Sequence, residues 1–161
     1  MDMPAVGDVA PGVALPDESG TIHDLSSQRG RWTIVYFYPA DDTPGCTVEA
    51  CEFRDSNATI HERGADVWGI SPQGAKSKRA FREKFDLPFT LLADESHAVA
   101  DAYGSWVEKK NYGKTYWGIA RRTFLVDPEG RIARVWPKVK PEGHAGEVLA
   151  ALDELQAARV S

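Results

Sequence analysis

A run of apolar residues that leads directly into the start of a helix constrains this chain more than any other feature. Trp32–Tyr38 shows no polar alternation, which is typical of a central strand covered on both faces. Shortly afterwards comes Thr43, a good N-cap, and then Pro44, which suits the first helical position. We therefore expect a buried strand followed by a helix over residues 44–62.

The rest of the chain alternates between strand and helix patterns. The predicted elements are an N-terminal extension with short strands near residues 13–15 and 21–23, strands over 65–71 and 87–92, helices over 74–85 and 96–103, a hairpin of strands over 121–126 and 131–136, and a last helix over 142–158. The aromatic and Gly-rich stretch 104–118 has no clean period, and we predict a loop there.

This order of elements predicts an α/β fold. Alternating strands and helices imply right-handed crossovers and parallel pairing, whereas the hairpin adds antiparallel strands. The expected architecture is a mixed central sheet flanked by helices on both faces. A length of 161 residues suits one domain, and no repeat or linker argues for a second, so we predict a single domain over residues 1–161.

Composition excludes several classes of function. The formal net charge of −5 gives no basic footprint for nucleic acid, and no apolar run is long enough to span a membrane. The first residues lack a basic region followed by an apolar one, so we expect no secretory signal and a cytoplasmic protein.

The two cysteines, Cys46 and Cys51, are too few for a disulfide-stapled secreted scaffold. In a reducing compartment such a pair is more often catalytic, redox-sensing or metal-binding. Two cysteines cannot complete a tetrahedral zinc site, and the four histidines do not stand at ligand spacing from one another. We therefore expect no metal and favour redox chemistry.

Cys46 is the better candidate for a nucleophile. With Thr43 as the N-cap it falls in the first helical turn, where unpaired backbone N–H groups and the helix dipole favour a thiolate over a thiol. Cys51 follows five residues later, at a Cα separation of about 8–9 Å in an ideal helix. A disulfide requires Cα atoms within about 7 Å, so the two cysteines can bond only if the first turns unwind.

Structural explanations remain open for each of these residues. Free cysteines often serve as small buried hydrophobic residues, which suits Cys51 as well as a redox role does. Thr43 could be only a helix cap, and Pro39 only a strand terminator. Glu49, on the same predicted helix, could hold the site together or could lie on a solvated surface.

The segment Pro39-Ala40-Asp41-Asp42-Thr43-Pro44-Gly45-Cys46 resembles the Pro-x-x-x-Thr-x-x-Cys signature of peroxiredoxins. Its continuation to Cys51 looks like the peroxiredoxin Q branch, also called bacterioferritin comigratory proteins. Further similar stretches are Gly7-Asp8-x-Ala10-Pro11, Phe89-Thr90-Leu91-Leu92-x-Asp94 and Gly113-Lys114-Thr115-Tyr116. The resemblance thus extends over nearly the whole chain.

The resemblance implies a thioredoxin-like fold with an N-terminal extension and a thiol peroxidase that needs no cofactor. By the same resemblance, Cys46 is the peroxidatic cysteine and Cys51 the resolving one. Thr43 would direct its hydroxyl at the thiolate and the peroxide, and Pro39 would shield the sulfur from water. The implied partners are a hydroperoxide and thioredoxin or a similar dithiol, and we expect a monomer.

The family also has an active-site arginine on a later strand, and Arg121 is the best match, although Arg122 stands beside it. Two other functions remain open. One is a general thiol–disulfide oxidoreductase, although the cysteine spacing is not that of a Cys-x-x-Cys motif. The other is a non-enzymatic redox sensor that would bind a partner through aromatic residues within 112–117.

Overall fold

The structure is a computed structural model that describes residues 2–160. Met1 and Ser161, the two ends of the predicted domain, lie outside the described residues. The elements, in chain order, are β1 (Ala14–Pro16), β2 (Ile22–Asp24), a 3-10 turn (Leu25–Gln28), β3 (Trp32–Phe37), α1 (Pro44–Glu62), β4 (Ala65–Ser71), α2 (Ala75–Phe85), β5 (Thr90–Ala93), α3 (Ala98–Ala102), β6 (Trp106–Asn111), β7 (Lys114–Ile119), β8 (Arg122–Val126), β9 (Ile132–Trp136) and α4 (His144–Val160).

β3 is the central strand of a five-stranded sheet of order β5-β4-β3-β8-β9. It pairs in parallel with β4 and antiparallel with β8, so the sheet is mixed. Every residue of β3 is buried. The predictions of a covered central strand and of a mixed α/β sheet flanked by helices are both confirmed.

The alternation of side chains along β3 divides the core between the two faces of the sheet. Ile34 and Tyr36 pack in a cluster with buried residues of α1, α2 and α4. Val35 and Phe37 pack in a second cluster with residues of α3 and of the N-terminal segment. The helix α1 therefore packs on one face of the sheet, and the loop between β3 and α1 lies at the C-terminal end of the central strand.

The prediction of a loop over residues 104–118 is wrong, because the structure has an antiparallel hairpin there. β6 pairs with β7 from Trp106 opposite Ile119 to Asn111 opposite Lys114. The connecting residues Tyr112 and Gly113 have φ values of 52° and 77°. Positive φ at both positions is characteristic of the two-residue turn whose twist matches a hairpin.

Several boundaries shift by one to three residues from the predicted ones, the largest at the start of β5, which is Thr90 and not residue 87. The N-terminal extension forms a separate two-stranded sheet of β1 and β2. The last helix begins at His144 and not at residue 142, because Gly143 takes a φ of 82°, outside the helical region. β8 begins at Arg122, so Arg121 lies just before the strand.

Candidate active site

The start of α1 follows the sequence prediction in position but not in its hydrogen bonding. Thr43 is the N-cap residue with extended backbone, and Pro44 is the first helical residue. The Thr43 hydroxyl makes no side-chain cap and instead donates to the carbonyl of Ala40 at 3.1 Å. The Thr43 carbonyl accepts the first helical bond, from the N–H of Thr47 at 2.8 Å.

Cys46 lies in the first turn of α1 and is 1% exposed. Its sulfur is free and accepts a hydrogen bond from Nη2 of Arg121 at 3.3 Å. A positive guanidinium and a helix N-terminus thus act on the same sulfur, and both stabilise negative charge. Burial alone would lower the pKa of Arg121, but the attraction of Glu49 and Cys46 raises it above its ordinary value.

Glu49 is the second partner of Arg121. Its Oε1 accepts from Arg121 Nη1 at 2.6 Å, and its side chain is fully buried. The suggestion that Glu49 lies on a solvated surface is therefore wrong. Burial raises the pKa of Glu49 to about 7, against the opposing attraction of Arg121. Oε2 is enclosed and has no hydrogen-bond partner among the described residues, which is consistent with the larger effect of burial.

Arg122 is directed to a different part of the molecule. Its Nη1 donates to the carbonyl of Gly104 at 2.8 Å and contacts Sδ of Met3 at 3.4 Å. Neighbouring residues at the start of a strand point to opposite faces, and here Arg121 is the one that reaches Cys46.

The loop between β3 and α1 is held by a buried polar cluster. Pro39 is half-buried, and its carbonyl accepts from Gln73 at 3.1 Å. The Asp41 carboxylate accepts from Tyr38 at 2.5 Å and from Ser77 at 2.8 Å.

A buried lysine completes this cluster. Lys78 is fully buried, and its Nζ lies 2.5 Å from the Ser71 hydroxyl and 3.5 Å from the Asp41 carboxylate. Burial lowers the pKa of Lys78 to about 8, although Asp41 opposes that shift. These bonds fix the loop that precedes Thr43.

Cys51 lies on the same helix and is half-buried. Both cysteines are free, and α1 runs unbroken from Pro44 to Glu62. The structure is thus the dithiol form with the helix intact, in which the separation of about 8–9 Å forbids a disulfide.

Lys109 on β6 is a residue near the site that sequence reasoning missed. Burial and the charge of Arg121 lower the pKa of Lys109, and Cys46 acts in the opposite direction. Its stem runs past Gly118, where an added Cβ would meet Lys109 Cδ at 3.5 Å. Nothing in the residues next to Lys109 marks it, because the pairing of β6 with β7 places it near Arg121.

Within residues 2–160 no group of three or more His, Cys, Asp or Glu side chains is arranged to hold a metal ion. No helix of the described chain combines the length and hydropathy needed to cross a membrane.

Comparison with known proteins assigns the chain to a protein family. The model of the AhpC/TSA family matches residues 6–135. The chain belongs to this family. It is 48% identical to the putative peroxiredoxin bcp of Coxiella burnetii over 147 residues, which cover 91% of this chain and 97% of that protein. It is 45% identical to peroxiredoxin Bcp of Bacillus subtilis over 150 residues, which cover 93% and 96% of the two chains.

The fold comparison agrees with the family assignment. Peroxiredoxin Q of Xanthomonas campestris superimposes with a TM-score of 0.85 at 38% identity and 96% coverage of both chains. The predicted thioredoxin-like fold and the predicted peroxiredoxin Q branch are both confirmed. The protein is a thiol peroxidase of the Bcp type, with a peroxide as substrate and a thiol as reductant.

Proposed function

We propose that the protein reduces hydrogen peroxide and organic hydroperoxides through Cys46, and that Cys51 resolves the product as an intramolecular disulfide. The observation that carries this proposal is the 3.3 Å contact between the Cys46 sulfur and Arg121 at the N-terminus of α1. A buried thiolate beside a guanidinium is suited to attack a neutral peroxide, because the same donors stabilise charge that develops on the peroxide oxygens.

The first step oxidises Cys46. Its thiolate attacks the distal peroxide oxygen, the O–O bond breaks, and the leaving oxygen takes a proton to become water or an alcohol. Cys46 becomes a sulfenic acid. In this proposal Arg121 donates to the peroxide, and the Thr43 oxygen accepts a hydrogen bond from it, since the Thr43 proton is donated to the Ala40 carbonyl. Pro39 shields the sulfur from water.

The second and third steps return the enzyme to its dithiol form. The first turns of α1 unwind, the Cys51 sulfur attacks the Cys46 sulfur, and the sulfenic oxygen leaves as water. An external dithiol then reduces the disulfide and is itself oxidised, and we infer thioredoxin or a similar protein in this role. The sulfur atoms carry out all the redox chemistry, so the cycle requires no cofactor.

We also infer that the protein works in the cytoplasm as a monomer. Two free cysteines are suited to a reducing compartment, which supports this location. The proposed cycle is complete within one chain, because both cysteines lie on α1.

Peroxide consumption with a dithiol reductant tests the proposal. We expect rapid, catalytic turnover by the native protein and none by Cys46→Ser. Cys51→Ser should reduce one equivalent of peroxide and stop at the sulfenic acid. Slow, stoichiometric oxidation of the native protein would instead support a redox sensor. Full turnover by Cys51→Ser with thioredoxin would show that Cys51 is not the resolving thiol.

A further inference from the structure

The proposed cycle requires Cys51 to leave its place on α1, so contacts beside Cys51 control how readily it moves. The next residue, Glu52, is half-buried and makes such a contact. Both of its carboxylate oxygens accept from the backbone N–H of Gly143, each at 3.0 Å. Gly143 immediately precedes α4, so Glu52 joins the segment that must unwind to the N-terminus of another helix.

The α4 end of this contact is firmly anchored. His144 is fully buried, and its Nε2 lies 2.8 Å from the Thr123 hydroxyl on β8. Its ring also packs edge-on against Trp136 of β9. When α1 unwinds, the Gly143 N–H therefore stays in place, and the Glu52 carboxylate is the partner that leaves.

The chain before α4 also lies along the first turn of α1. A Cβ on Gly45 would lie 3.5 Å from Cγ of Pro141, and the N–H of Val139 donates to the Arg121 carbonyl at 3.2 Å. Residues 139–143 thus pass beside the turn that holds Cys46 and reach Glu52. The contact at Glu52 is positioned to restrain the whole stretch between the two cysteines.

Neighbouring contacts mark where the unwinding segment ends. Arg54, one turn beyond Cys51, donates from Nη1 to the Phe85 carbonyl at 2.9 Å. On the other side, the Asp41 cluster holds the loop before Thr43. The stretch between these two anchors contains both cysteines, and Glu52 lies at its C-terminal boundary.

We propose that Glu52 is a positioning residue that restrains the unwinding of α1 and thereby slows resolution by Cys51. This inference rests on the proposed function. While α1 is intact the Cys46 sulfenic acid cannot meet Cys51, and a second peroxide can oxidise it to the sulfinic acid with release of water. Glu52 therefore sets the balance between disulfide formation and overoxidation.

The magnitude follows from the type of contact. Loss of one hydrogen bond typically shifts an equilibrium by about fivefold. In Glu52→Ala we expect disulfide formation about fivefold faster and half-maximal overoxidation at about fivefold higher peroxide. Glu52→Asp retains the charge but shortens the side chain by one methylene, so it should behave like Glu52→Ala. This variant separates the restraint from a simple effect of charge.

Rapid quench of the reduced protein with peroxide, followed by thiol blocking and mass spectrometry, measures both products. The matched controls are Glu62→Ala and Glu62→Asp, at an exposed position in the last turn of α1, and they should resolve at the native rate. Native rates in both Glu52 variants would overturn the proposal. So would acceleration in Glu52→Ala alone, because the effect would then come from charge.

Amide hydrogen exchange of the reduced protein tests the restraint without any peroxide. Exchange over residues 47–52 should be about fivefold faster in both Glu52 variants, while exchange in α2 stays unchanged. Unchanged exchange over 47–52 would refute the restraint even if turnover changed. If exchange rises as expected but the native protein forms no Cys46–Cys51 disulfide, the proposed function fails and the restraint on α1 stands.

Discussion

Replacing Arg121 is the perturbation whose effect the geometry defines best. Arg121→Met removes the guanidinium while keeping a flexible apolar side chain in its place. The lost interaction is that between Nη2 and the Cys46 sulfur at 3.3 Å. Two unit charges at this distance attract by about 5 kcal/mol at an effective dielectric constant of about 20. This energy is an upper bound on the attraction that the variant loses.

Removal of one preorganised hydrogen-bond donor from a site that stabilises developing negative charge slows the reaction by about 100–1000-fold. We therefore expect Arg121→Met to slow the attack of Cys46 on hydrogen peroxide by about 1000-fold. Stopped-flow measurement of sulfenic acid formation under single-turnover conditions gives this rate directly. Arg122→Met is the matched control and should react at nearly the native rate, because Arg122 bonds to Gly104.

A second variant separates chemistry from folding. At pH 8, above the pKa of about 7 of Glu49, Arg121→Met leaves the Glu49 carboxylate buried without its cation, which destabilises a protein by about 3–5 kcal/mol. Adding Glu49→Gln should restore much of the stability but none of the rate. The reasoning is refuted if Arg121→Met reacts within about tenfold of the native rate. It is equally refuted if Arg122→Met is the slower of the two.

Three further predictions concern stability. The pKa of Glu49 is raised from 4.5 to about 7, so the folded protein holds this proton more tightly than the unfolded chain does. The stability that this proton contributes is full below pH 4.5 and is lost as pH rises through 7. Urea denaturation should therefore show the unfolding free energy falling by about 3 kcal/mol over that range, relative to Glu49→Gln. Lys78→Met leaves the buried Asp41 carboxylate without its cation and should lower the unfolding free energy by about 3–5 kcal/mol, and an unchanged denaturation midpoint would contradict this. Gly69→Ala would place a Cβ 2.8 Å from the Tyr36 ring, so we expect a loss of about 1–3 kcal/mol in the same assay.

The strand before Cys46 and the helix that contains it were predictable, because helix-capping preferences and the hydrophobic pattern agree there. The apolar run of β3 and the Thr43-Pro44 start of α1 each indicate one structure. The spacing of Cys46 and Cys51 also gave the key restriction on disulfide formation. These are properties of neighbouring residues, which a sequence displays directly.

The partners of the helix came from distant parts of the chain and were harder to predict. Only the resemblance favours Arg121 over Arg122 in the sequence, since strand alternation does not say which face meets α1. The burial of Glu49 could not be read from its neighbours, because its partner lies 72 residues away. The Glu52 contact with Gly143 spans 91 residues and left no signal in the sequence.

The hairpin of β6 and β7 was missed for a different reason. Tyr112, Tyr116 and Trp117 are all exposed, so apolar residues do not mark a buried face and the period of two is hidden. The turn at Tyr112-Gly113 carries the remaining signal, because glycine there allows the positive φ that a tight hairpin requires. Lys109 was missed with the hairpin that carries it.

The central claim is that Cys46 and Cys51 form a disulfide in one catalytic cycle although an intact α1 keeps them apart. Mass spectrometry of the protein after one equivalent of peroxide, denatured with its free thiols blocked, tests this most directly. We expect a mass lower by two hydrogens, no blocked thiol, and a peptide that links Cys46 to Cys51. A stable sulfenic acid at Cys46 with a blocked Cys51 thiol would contradict the claim.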